Sequence, residues 1–92
     1  MTENEIWRGI IETYVPDDET EIYLTEDNGV CIMAIYQYNI FPSLYVYTGK
    51  SYKEIMFTSK FIEGLWQQDE EYLEDMFTPE EVEAIKRSWE VD

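Results

Sequence analysis

The dipeptide Asn28-Gly29 stands between two β-rich runs, 21-EIYLTED-27 and 30-VCIMAIYQYN-39. It is the strongest short-range hairpin signal, because both residues tolerate the positive φ that a two-residue loop needs. With Asn28 and Gly29 as the loop, Asp27 pairs with Val30, Thr25 with Ile32 and Tyr23 with Ala34. Side chains alternate along a strand, so this register gathers Ile22, Leu24, Cys31, Met33 and Ile35 on one face. Tyr23, Thr25, Val30, Ile32, Ala34, Tyr36 and Tyr38 fall on the other. The second strand is apolar on both faces, as a central strand would be. A short loop, 39-NIFPS-43, leads to 44-LYVYT-48, where Leu44 and Val46 alternate with Tyr45 and Tyr47 before Gly49. The pattern is a three-stranded antiparallel meander with this last segment at its edge.

Helical signals flank the meander. At the start, 2-TENE-5 is a capping box, and Ile6, Trp7, Ile10, Ile11 and Tyr14 follow at the spacing of one helical face. This helix should stop before 15-VPDDE-19, since the residue ahead of Pro16 is pushed out of helical geometry. After the meander, 51-SYKE-54 is a second capping box, with Tyr52, Ile55, Met56, Ile62 and Trp66 at helical spacing. A rival assignment makes 53-KEIMFT-58 a fourth strand; the helix is preferred. A short helix is expected over 69–77 and a final one over 79–90. There 78-TPEE-81 supplies an N-cap, a proline at the first helical position and a capping box, and Val82, Ile85 and Trp89 form the apolar stripe. The expected fold is α+β in the order αβββααα: the meander packed with an N-terminal helix and two to three C-terminal ones. Residues 1–92 form one domain, with no internal repeat or linker.

Charge is the second constraint. Twenty-one acidic residues face six basic ones, a formal net charge of −15. Hydrophobic residues make up 45% and aromatics 16%, so this is a folding chain and not a disordered acidic tail. Its charge would repel nucleic acid and anionic membranes, and the longest apolar run, 30-VCIMAIY-36, is far short of a membrane span. The single cysteine, Cys31, allows no intrachain disulfide and suits a reducing compartment. The start, MTENEIWRGI, lacks the basic and apolar regions of a secretion signal. A cytoplasmic protein is expected.

Little points to catalysis. There is no histidine, the commonest general base and metal ligand. Cys31 falls on the expected core face with no base to activate it. The segment 49-GKS-51 lacks the upstream glycine of a phosphate-binding loop, and 27-DNG-29 lacks the alternating oxygen ligands of a calcium loop. Paired carboxylates are so plentiful here that they single out no acid–base dyad. No enzyme, cofactor or metal is expected.

The charge is unevenly placed. Residues 69–92 hold ten acidic and two basic side chains, whereas residues 30–53 hold no acidic residue at all. Part of the cluster has a structural explanation: Glu80, Glu81 and Glu83 suit the N-terminal end of a helix dipole, and Glu83 and Arg87 form an i,i+4 pair. Glu70–Glu74 and Glu71–Asp75, by contrast, are like-charge i,i+4 pairs, each unfavourable by roughly 0.2–0.5 kcal/mol. Solubility in a small domain needs a net charge of only about 2–8. The excess implies a surface that attracts something strongly positive. Tyr23, Tyr36, Tyr38, Tyr45 and Tyr47 are grouped on one sheet face, either as a second small core beneath a helix or as an anchor surface for a protein partner or a second copy.

In size, acidity, lack of catalytic groups and compact α/β patterning, the chain resembles small phage- or plasmid-borne inhibitors of bacterial defence. That class includes anti-CRISPR and anti-restriction proteins, several of them DNA mimics. The likeness is one of type, carries no shared motif and transfers no residue. It implies a stoichiometric inhibitor whose carboxylates occupy a basic channel of a nucleic-acid-binding enzyme. The expected contact is Asp69, Glu70, Glu71, Glu74, Asp75, Glu80, Glu81 and Glu83, with Tyr45 and Tyr47 as secondary anchors. The alternatives are an immunity protein that neutralises one basic toxin, and an interaction module or homodimer built on the tyrosine face.

Overall fold

The structure, a computed structural model, describes residues 2–14, 19–38 and 41–90. Pro16, the acidic pair Asp17 and Asp18, and the first two residues of the 39–43 loop lie outside these. The described chain runs α1 (Glu3–Thr13), β1 (Thr20–Asp27), β2 (Val30–Gln37), β3 (Ser43–Gly49), α2 (Tyr52–Thr58), α3 (Phe61–Trp66), α4 (Glu70–Met76) and α5 (Pro79–Ser88). It is the expected α+β fold with an open three-stranded sheet in the order β1-β2-β3. Residues 53–58 are helical and not a fourth strand.

The hairpin has the expected register: Tyr23 opposite Ala34, Thr25 opposite Ile32 and Asp27 opposite Val30. Asn28 and Gly29 both take positive φ, 51° and 77°, as a type I′ loop requires. Cys31, Met33 and Ile35 point into the core and are buried.

One expectation about the sheet is corrected. Tyr45 lies opposite Ile35 and Tyr47 opposite Met33, so both project to the helix-covered side. Leu44 and Val46, opposite Tyr36 and Ala34, take the places on the open side. The five tyrosines therefore do not share a face. In a strand that alternates Leu and Val with Tyr, both faces are apolar, and the pairing to β2 decides which one turns inward.

All the helices lie on one side of the sheet. Trp7, Ile10 and Ile11 of α1, Tyr52, Ile55 and Met56 of α2, and Ile62 and Leu65 of α3 meet Met33 and Ile35 in one core, which Leu73, Phe77, Val82, Ala84 and Ile85 extend. α2 packs on β2 and β3, whereas α5 packs chiefly on α1. Asn4 joins three elements: its Oδ1 accepts from the Tyr52 backbone N–H at 2.8 Å, and its Nδ2 donates to Glu26 at 2.9 Å. The Tyr52 hydroxyl donates to the Thr25 carbonyl at 3.0 Å.

Capping follows the sequence signals. Thr2–Glu5 and Thr78–Glu81 form complete, reciprocal capping boxes. The third is half-formed: Ser51 Oγ accepts from Glu54 N–H, but the Glu54 carboxylate accepts from Lys50 N–H at 2.8 Å. The helical stretch expected over 52–66 is interrupted at Lys60, whose φ is 66°, so that α2 and α3 are two segments of that stretch. Ser59 contributes to the break, its Oγ donating to the Met56 carbonyl and accepting from Phe61 N–H. Trp89, expected in the α5 stripe, is half exposed at the C-cap instead. Ser88 takes the buried place, accepting from the Trp66 indole N–H at 3.0 Å.

A Cβ at Gly29 would touch nothing within 4 Å, so Gly29→Ala isolates the backbone conformation of the turn. It should destabilise the fold by about 1–2 kcal/mol, the cost of a left-handed non-glycine residue. A lower denaturation midpoint at unchanged slope is the expected readout.

Candidate functional site

Each of the eight expected carboxylates lies on α4, on α5 or at an N-cap, but they do not all serve the same purpose. Asp69 is the N-cap of α4, its Oδ1 accepting from Tyr72 N–H at 2.8 Å. Glu81 closes the α5 capping box by accepting from Thr78 N–H at 3.0 Å. It also lies against α1, where a Cβ at Gly9 would sit 2.5 Å from Glu81 Oε2. Both carboxylates are committed to the fold.

Two more are paired with cations. Glu70 accepts from Lys86 Nζ, a contact that joins α4 to α5. Glu83 pairs with Arg87 at 3.8 Å. The hydrogen bond to Glu70 raises the Lys86 pKa above its ordinary value. Its contribution to stability is therefore present below the ordinary lysine pKa and is lost as pH rises through the raised one.

The other four, Glu71, Glu74, Asp75 and Glu80, are exposed and have neither a hydrogen bond nor an ion pair among the described residues. Glu74 feels Lys86 only at longer range. Glu71, Glu74 and Asp75 are spaced i, i+3 and i+4, so they share one face of α4, and Glu80 lies in the first turn of α5. Of the eight carboxylates expected at the contact, four are thus engaged within the fold and four have no such partner among the described residues.

A groove of about 460 Å³ opens between the two helices, lined by Glu74, Phe77, Pro79, Val82, Glu83 and Lys86. The expected site had omitted its apolar floor, Phe77, Pro79 and Val82. The signal for it is local. Phe77 and Val82 occupy the N′ and N4 positions around the Thr78 cap, the pattern of a hydrophobic staple.

Tyr45 and Tyr47 do not join this surface. β3 borders β2 and α2, while α5 borders α1 and α4. Tyr47 packs against the core, and Tyr45 is half exposed on the helical side of the sheet edge. On the open side of the sheet, the Tyr23 hydroxyl donates to Glu21. That bond, followed by one from Tyr38, holds the Glu21 carboxyl below the usual glutamate range.

Cys31 is buried, its Sγ accepting from Asn4 Nδ2 at 3.5 Å. Among the described residues no cluster of three or more His, Cys, Asp or Glu side chains is placed to hold a metal ion. No helix there is long and apolar enough to cross a membrane. No family model matches the chain, and no significant match to it is found among curated proteins or solved structures.

Twenty-one acidic residues face six basic ones, so most of the charge is uncompensated and self-repulsive. Raising sodium chloride from low to moderate concentration should therefore raise Tm by roughly 4 °C or more, equivalent to about 1 kcal/mol in a domain of this size. A flat or falling Tm would mean that the carboxylates do not repel one another appreciably. A second expectation concerns Glu21. Its contribution is present above the ordinary glutamate pKa and is lost as pH falls through the lowered value. Tyr23→Phe should move the Glu21 pKa back toward the ordinary range in a carbon-detected NMR titration.

Proposed function

We propose that the protein is a stoichiometric, non-enzymatic inhibitor that binds a positively charged nucleic-acid-binding surface of a bacterial defence nuclease, in the manner of an anti-CRISPR or anti-restriction DNA mimic, in the cytoplasm of the cell. The observation that carries this reading is the set of unpaired carboxylates at Glu71, Glu74, Asp75 and Glu80 beside the α4–α5 groove. Neighbouring carboxylates on a helix have Cβ atoms about 5–6 Å apart. They can occupy successive phosphate subsites in a basic channel, and a field of this sign speeds encounter with such a partner.

The groove favours a second reading in part. A surface that only imitates phosphates has no use for an apolar slot of Phe77, Pro79 and Val82. An immunity protein that recognises one basic toxin does, because buried apolar anchors supply much of the affinity of a specific interface. The two readings differ in what competes. Duplex DNA displaces a mimic from its target and leaves an interface away from the DNA channel intact.

The test is cleavage by purified CRISPR and restriction nucleases in the presence of the protein, with binding followed against competitor DNA. Inhibition relieved by excess duplex DNA is the expected result. Protection against one toxin with no effect on any defence nuclease would replace the leading reading with the second. The quadruple variant E71Q/E74Q/D75N/E80Q leaves both N-caps and both ion pairs in place, so its circular dichroism should be that of the parent. Its affinity should fall at least about tenfold, and the salt dependence of binding should flatten. Unaltered binding would remove these residues from the interface.

A further inference from the structure

Among the described residues, the helices cover one side of the sheet and leave the other bare. From edge to edge, the rows on the bare side are Glu21–Tyr36–Leu44, Tyr23–Ala34–Val46 and Thr25–Ile32–Thr48, with Asp27 and Val30 at the hairpin end. Tyr23 is 57% exposed, Leu44 63% and Val46 57%. Val30 and Tyr38 are exposed too, and Ile32, Ala34 and Tyr36 are partly so. From these exposures and full aromatic side-chain areas of about 150–250 Å², the apolar patch comes to roughly 500–600 Å². A soluble monomer's largest apolar patch is about 300–600 Å² and is often functional.

We infer that this bare face is a homodimer interface in which two copies pack sheet against sheet about a two-fold axis. The inference stands apart from the proposed inhibitory contact, which lies on the helical side. Three observations select a second copy. The first is area: a standard-size interface takes about 800 Å² from each partner, and the patch with its polar margin is close to that. The second is shape. An open antiparallel sheet packs on another at a separation of about 10 Å with interdigitating side chains, and a two-fold contact is self-complementary by construction.

The third is charge. A chain of net charge −15 meets a second copy at least cost where its own charge is lowest. The centre of the bare face has no charged side chain; Glu21 and Asp27 lie at the two ends of β1. Glu21 is already held by the Tyr23 and Tyr38 hydroxyls. A helix is about 10–12 Å thick with its side chains, so the outward carboxylates of the helical layer stand more than a Debye length, about 8 Å, behind the sheet. A basic partner would find no counter-charge at the centre of this face.

Sedimentation equilibrium up to about 500 µM, above the micromolar limit for weak interfaces of standard size, should give a mass approaching twice the 11.1 kDa chain. The association should persist or tighten in high salt. The double variant L44D/V46D should raise the dissociation constant at least about tenfold by placing unpaired carboxylates in the contact. Tyr45→Ser, on the other face of the same strand, should leave it unchanged. Should the double variant fail to fold, a dilution series of methyl NMR spectra on the parent protein locates the contact. Concentration-dependent shifts at Val30, Ile32, Leu44 and Val46 support the inference, and shifts confined to Val82 and Ile85 refute it. A monomeric mass at the highest concentration, or a dimer that dissociates with added salt, would also overturn it.

Discussion

Two residues of positive φ, Asn28 and Gly29, set the register of β1 on β2, and the distribution of side chains over the molecule follows from that register. Because a strand alternates its side chains, a slip of one residue would turn Cys31, Met33 and Ile35 out of the core and put Ile32, Ala34 and Tyr36 in their place. β2 is apolar on both faces, so hydrophobicity alone does not oppose such a slip. The turn opposes it, and the helical side supplies a second restraint. Tyr52 reaches the Thr25 carbonyl and Asn4 reaches Glu26, contacts available only when β1 presents those residues as it does.

A charge of −15 is compatible with this core because many of the carboxylates are placed where they help to fold the chain. Glu5 and Glu81 complete capping boxes, Asp69 caps α4, and Glu54 satisfies the Lys50 amide. Each satisfies a backbone N–H that would otherwise lack a partner, and each lies at or near the positive end of a helix dipole. The cations are used with similar economy. Arg8, Lys53, Lys86 and Arg87 each meet one carboxylate. What is left over is concentrated on α4 and at the start of α5, where like charges at i,i+4 disfavour the helix that carries them. A helix of seven residues that tolerates Glu70, Glu71, Glu74 and Asp75 is held by its packing, through Leu73 and the Phe77 that follows it.

The features legible in the sequence are those encoded by short-range chemistry. The Asn-Gly turn, the capping residues Thr2, Ser51 and Thr78, and the proline opening α5 each act within four residues, and each has its expected place in the structure. The features that were not legible depend on contacts between distant segments. Which side of β3 turns inward is decided by pairing Tyr36 with Leu44, because a strand of alternating Leu, Tyr, Val and Tyr is apolar on both sides. The break at Lys60 carries no glycine or asparagine to announce a left-handed residue. Of the four engaged carboxylates, Asp69, Glu81 and Glu83 are held within four residues, whereas Glu70 meets Lys86 on another helix, 16 positions on. The groove was within reach of sequence reasoning, since Phe77 and Val82 flank the Thr78 cap at staple positions.

The placement of the charge bears on its purpose. If the carboxylates served only to keep the chain in solution, the outward positions of β2 and β3 would be the effective place for them, since an open sheet face is where apolar association begins. The distribution is the reverse. Residues 30–53 hold no acidic side chain, and they furnish Val30, Ile32, Ala34, Tyr36, Leu44 and Val46 of the bare face. The four unpaired carboxylates of α4 and α5 stand on the helical side, where the apolar surface is already covered. Solubility alone therefore does not account for the pattern, and the two proposed recognition surfaces would. One is uncharged at its centre and, as proposed, self-complementary. The other is acidic and bordered by an apolar groove, a shape that would select among basic partners. A dimer closed through the sheets would leave both acidic surfaces outward and free. Each could then engage a basic site, so the assembly would gain avidity on any target that carries two such sites within its span.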